Sequence, residues 1–139
     1  MKRLLLISMI LTAGAAQAAP SFLVVVNEAN PISSLSHDEL SDLFLKKSSR
    51  WADGHLVLPV DQEESSQIRE RFNHEVHRKS ATAVRAFWQQ RIFSGRDVPP
   101  PEKSGDSKVI AFVRDNPAAI GYVSAAASTG GVKVLAVRQ

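Results

Sequence analysis

From residue 22 onward, short apolar runs alternate with stretches in which apolar residues recur every third or fourth position. Phe22-Leu23-Val24-Val25-Val26 is apolar at five successive positions and ends at Asn27. Such a run predicts a strand covered on both faces, as in a parallel sheet. A loop follows over 31–34. Ser36-His37-Asp38-Glu39 then has the spacing of a capping box, and Leu40, Leu43 and Phe44 share one face of the helix it opens. Trp51-Ala52-Asp53-Gly54 reads as a turn, and Leu56 to Val60 as a strand that Pro59 ends or places at an edge. A helix should begin between Asp61 and Ser65, with Ile68, Phe72 and Val76 inward and Arg69, Glu70, Arg71, Asn73 and Glu75 outward.

Ser80 caps a further helix with Val84, Phe87, Trp88 and Ile92 inward, and Gly95 stops it. Residues 96–105 form a loop stiffened by Pro99-Pro100-Pro101. Ser104 to Asp106 cap a helix through Val109, Ile110, Phe112 and Val113, stopped at Asn116-Pro117. Strands at Ala119–Val123 and Val132–Val137 close the chain. The order is that of an α/β fold.

The first twenty residues follow a different pattern. Lys2 and Arg3 precede an apolar run from Leu4 to Leu11, and small residues lead to Ala16-Gln17-Ala18. This is the layout of a cleaved secretory leader, with an apolar run too short to span a bilayer comfortably. The expected organisation is a signal peptide at 1–18 and one domain at 19–139, placed in the periplasm. Loss of Lys2 and Arg3 takes the formal charge from +3 to +1. A near-neutral domain gives no case for nucleic-acid binding. The absence of Cys excludes thiol catalysis, Cys-zinc sites and disulfides.

The order and spacing of several short segments resemble the phosphate-type periplasmic solute-binding proteins of ABC transporters. These are Asn27 with Asn30-Pro31; Leu40-Ser41-Asp42-Leu43-Phe44-Leu45; Trp51 to Gly54; Val57 to Asp61; Arg71-Phe72; Phe87-Trp88; Phe93-Ser94-Gly95; Pro99-Pro100; and Ala118 to Val123. The resemblance covers about residues 23–125 and implies a half-length relative. The fold would be a single lobe of a type II periplasmic-binding-protein-like fold, a mainly parallel-cored sheet flanked by helices. Full-length members have two lobes, and this chain has room for one.

The resemblance also implies where a small oxyanion would sit. Full-length members carry an Arg and then Ser-Gly-Thr between the second strand and the next helix, where backbone amides at a helix N-terminus hold an anion. Here the segment is Asp61-Gln62-Glu63-Glu64-Ser65-Ser66-Gln67. Ser65, Ser66 and Gln67 are the candidate ligand contacts, against the commoner role of Ser as a helix cap. Asp61 stands near the position of the Arg, so the cation does not carry over. Two functions remain open: an oxyanion-binding transport module, and an interaction or sensory module that keeps the fold without the ligand. An inner-membrane transporter, an envelope sensor or a second copy of the chain is the implied partner.

Other clusters carry less. His74 and His77 share a helix face that reads as polar and solvated, without a third metal ligand. Trp51, in a turn, is the aromatic expected to be most exposed. Lys46, Lys47 and Arg50 form a short basic patch on which an anion could rest. No nucleophile elbow, paired carboxylates or Gly-rich phosphate loop points to catalysis, and no cofactor is implied.

Overall fold

The computed structural model describes Gly14 and residues 21–139. The leader expected at 1–18 lies outside the described residues, Gly14 excepted. Among the described residues no helix is long and apolar enough to cross a membrane.

The apolar run at the start of the domain forms β1 (Phe22–Asn27), the middle strand of a five-stranded sheet. Its neighbours are β6 (Ala119–Ser124) and β7 (Val132–Arg138). The short strands β2 (Ser34–Ser36) and β3 (Leu58–Pro59) lie at the two edges, giving the order β2-β7-β1-β6-β3. Pro59 is at an edge, as its missing amide requires.

The sheet is mixed, which corrects the expectation of a parallel core. β1 runs antiparallel to both β6 and β7, with Val25 opposite Gly121 and Val134. Only the edge pairs β2–β7 and β3–β6 are parallel. An unbroken apolar run reports burial of both faces of a strand. It does not report the direction of the neighbours, which is set by connections about a hundred residues apart.

Helices cover both faces. On one side α1 (His37–Phe44) and α2 (Gln67–Phe72) press Leu40, Phe44 and Phe72 against Val24, Val26, Ile120 and Tyr122. The expected capping box opens α1: Ser36 accepts from the Glu39 amide, and Glu39 accepts from the Ser36 amide. On the other side α4 (Asp106–Asp115) places Val109, Ile110 and Val113 over Val25, Ala119 and Val123. Each buried Val, Leu, Ile or Phe among them contributes about 1.5–3 kcal/mol on burial. α4 approaches β6 closely because residue 121 is Gly. A Cβ there would lie 2.7 Å from Val109 Cγ1 and 2.9 Å from Val60 Cγ1.

The segments that carry the resemblance are structural ties. Asn27 Nδ2 donates to the Val113 and Arg114 carbonyls at 3.0 and 2.9 Å, closing the C-terminus of α4 against β1. Trp51 is half-buried, not the exposed aromatic that was expected, because its Nε1 donates to Ala118 O at 2.9 Å. The turn after it needs Gly54, whose φ is +91°.

α3 (Ala81–Phe93) is thinly attached, burying Val84 and Trp88 against Leu45. Phe87 is only half-buried and Ile92 is exposed, so the expected inward face narrows to two residues. Residues 73–77 form a π-helical turn that ends at Arg78, a non-Gly residue at φ 53°. The wider turn rotates His77 inward, where it is buried with Nδ1 2.7 Å from Ser41 Oγ. The solvated face expected for His77 is therefore overturned, while His74 is exposed as expected.

Candidate anion-binding site

After Val60 the chain leaves the sheet and forms β4 (Asp61–Gln62), which pairs in parallel with β5 (Glu102–Lys103). A short strand therefore stands where a helix start was expected, and 102–103 is a strand within the expected loop. The pairing engages backbone donors of this segment: Asp61 N donates to Pro101 O at 2.9 Å and Glu63 N to Lys103 O at 3.2 Å. α2 begins only at Gln67 and has six residues, so its dipole is small.

The three candidate ligand residues do not act together. Ser66 is the N-cap of α2: its Oγ accepts from Arg69 N at 3.3 Å and donates to Gln62 Oε1 at 2.9 Å. Ser65 and Gln67 are exposed on either side of it.

Beneath the cap lies a buried polar network that sequence reasoning missed. Gln62, 3% exposed, uses both amide donors and its oxygen: Nε2 donates to Tyr122 O at 3.1 Å and to Asp106 Oδ1 at 2.9 Å, while Oε1 accepts from Ser66. Asp106, in the first turn of α4, also accepts from Ser124 N at 3.0 Å and from Ser124 Oγ. Donors from β4 and β6 thus converge on one carboxylate of the protein itself. Partial burial pushes the Asp106 carboxyl up, but the hydrogen bonds from Ser124 and Gln62 outweigh it and hold the group below its ordinary value.

The second half of the network is ionic. Arg69 points inward, 7% exposed, as does Asn73, and both were expected to face out. Arg69 Nη1 donates to Gln62 O at 2.9 Å and to Glu102 Oε1, and Nε lies 3.9 Å from Asp61 Oδ1 without a hydrogen bond. Asp61 in turn accepts from the Tyr122 hydroxyl, and Tyr122 Oη accepts from Gln62 N at 3.2 Å. Burial pushes the Asp61 carboxyl above its ordinary value despite Arg69 and Tyr122. Burial and the neighbouring Asp61 push the Tyr122 phenol well up. For Arg69, Asp61 and Glu102 outweigh burial and hold the guanidinium more firmly charged than usual.

A cation is therefore present after all. It comes from the body of α2, not from the loop, and Asp61 and Glu102 already engage it. The position can hold its own charges in balance. For an added oxyanion it offers one cation already engaged by Asp61 and Glu102, with a third carboxylate, Asp106, held by Gln62 and Ser124. The signal that could have placed Arg69 was its spacing: it falls one residue after Ile68 and three before Phe72, at the margin of the apolar stripe.

No protein-family model matches the sequence, and no curated protein matches it. Solved structures do share the fold. An ABC-type phosphate transport receptor from Vibrio cholerae superposes with a TM-score of 0.67 at 21% identity, over 84% of this chain and 46% of that one. A putative phosphate ABC transporter substrate-binding protein with bound phosphate, from Clostridium perfringens, gives 0.69 at 20% identity over 84% and 44%. PstS from Borrelia burgdorferi gives 0.67 at 12% identity over 86% and 47%. The chain spans less than half the length of each, so what is shared is the fold of one lobe, as expected.

Proposed function

We propose that this chain is an exported, single-lobe solute-binding-type module whose oxyanion position is filled by its own carboxylate. It works at the cell envelope as an interaction module for a transporter, sensor or second copy, not as a free scavenger of phosphate. The observation that carries this reading is the convergence of Gln62 and Ser124 donors on Asp106. Export rests on the leader pattern of residues 1–18 and places the domain in the periplasm. The phosphate receptors that share the fold make phosphate the first ligand to test. A transport or binding role also fits those neighbours better than catalysis.

The energetics run against tight capture. A helix N-terminus contributes about 0.3–2 kcal/mol toward a nearby anion, and here Ser66 already takes part of it. A phosphate about 4 Å from one carboxylate is opposed by roughly 4 kcal/mol at an effective dielectric of ~20. Calorimetry of the exported chain should therefore give a Kd of ~1 mM or weaker for phosphate, sulfate and molybdate. Asp106→Ser, which removes the internal anion and leaves the donors, should tighten phosphate binding. Micromolar phosphate binding by the unaltered monomer would overturn the reading.

The half-length coverage favours one further possibility, an oxyanion held between two copies or between this lobe and a partner. Binding that disappears on dilution to monomer would identify that case.

A further inference from the structure

Six large apolar side chains are exposed among the described residues, and five of them fall on adjoining segments. Phe93, 96% exposed, and Ile92 end α3, and Val98 follows in the next loop. Leu58 lies on the edge strand β3, and Leu56 just before it, bridged to Arg50. The segments are tied together at Lys46. Its carbonyl accepts from Arg91 Nη2 at 3.4 Å, its ammonium pairs with Asp97 at 3.5 Å, and it shares a groove of about 260 Å³ with Leu56, Leu58 and Asp97.

The same surface is basic. Lys46, Lys47, Arg50, Arg91 and Arg96 stand on these segments. The acids there are Asp42, Asp97, which pairs with Lys46, and Asp53, which pairs with His55. A net positive face has thus been gathered on a domain whose formal charge outside the leader is only +1.

We infer that this face docks on an anionic phospholipid surface, with Phe93, Ile92 and Val98 entering the interfacial region and the surrounding cations on the headgroups. An aromatic and aliphatic tip ringed by Lys and Arg is the arrangement that binds an anionic membrane interface. Charge complementarity selects a negative partner. Shape selects lipid over an acidic protein: Phe93 protrudes at a helix end, whereas protein interfaces bury their aromatic anchors in fitted, desolvated pockets. The Lys46-Lys47-Arg50 run thereby acquires a role that the anion position does not need. The inference stands apart from whether that position binds a ligand.

Co-sedimentation of the exported chain with phosphatidylglycerol/phosphatidylcholine vesicles tests it. Binding should rise with the phosphatidylglycerol fraction and fall with salt. Phe93→Ser should weaken it roughly tenfold or more, as expected for loss of a buried aromatic. Lys47→Ser and Arg96→Ser should each weaken it about fivefold. All three positions are exposed, so unchanged thermal unfolding will show that the fold is intact. Phe93→Trp should give a blue-shifted emission on vesicle addition. Equal binding of the unaltered chain and Phe93→Ser would overturn the inference. So would equal binding to pure phosphatidylcholine, or no vesicle binding at all, which would leave an acidic protein as the occupant.

Discussion

Replacing Arg69 by Met keeps an unbranched apolar stem and removes the cation that meets Asp61 and Glu102. The Arg69–Asp61 separation of 3.9 Å corresponds to roughly 4 kcal/mol of attraction at an effective dielectric of ~20. Removing one partner of a buried pair commonly costs about 3–5 kcal/mol, because the other charge stays behind uncompensated. Asp61 is 6% exposed and its carboxyl is already raised by burial, so loss of Arg69 raises it further. A carboxyl raised in the folded state binds protons better there than in the unfolded chain, so its cost is full above the folded pKa and fades as pH falls toward ~3.9. The deficit of Arg69→Met should therefore be about 3–5 kcal/mol at pH 8 and markedly smaller at pH 5. Urea unfolding of the unaltered chain, Arg69→Met, Asp61→Asn and the double variant at both pH values measures it. The double variant should recover part of the loss at pH 8. A loss under about 1 kcal/mol, or one that does not change with pH, would refute the buried ion-pair account.

Burial holds His77 at about 4, with Lys47, Lys79 and Arg69 pushing the same way. A depressed His stabilises the fold above its unfolded value near 6.5, and that contribution is lost as pH falls from there to about 4. The loss is roughly 3 kcal/mol; it should be missing from the pH profile of His77→Gln and so appear as the difference between the two chains in pH-resolved unfolding. Phe72→Ala should cost about 3–5 kcal/mol in urea unfolding, because its fully buried ring stacks on Tyr122 with centroids 3.9 Å apart. Gly121→Ala should cost about 1–3 kcal/mol in the same assay, since its Cβ would force Val109 and Val60 aside.

Interactions spanning three or four residues were readable in the sequence. The Ser36–Glu39 box, the Leu40/Leu43/Phe44 face, Pro59 at an edge and the last two strands all fell where local chemistry put them. Each depends on backbone groups and side chains that are neighbours along the chain. Tertiary structure alone decided that β1 is antiparallel to both neighbours, because β6 and β7 begin more than ninety residues later. The candidate site divides the same way. The Ser66 cap was legible because its partner, the Arg69 amide, is three residues away. Arg69 itself read as an exposed helix residue, because Glu102 and β5, which make its burial tolerable, come from a loop thirty-three positions on. His77 turned inward through a π-helical turn that no apolar spacing announces. Asp106 is held by donors from Gln62 and Ser124, forty-four residues before it and eighteen after. Sequence patterning registers which face of an element is apolar. It does not register a polar side chain whose burial is balanced by partners that only the folded chain brings within hydrogen-bond reach.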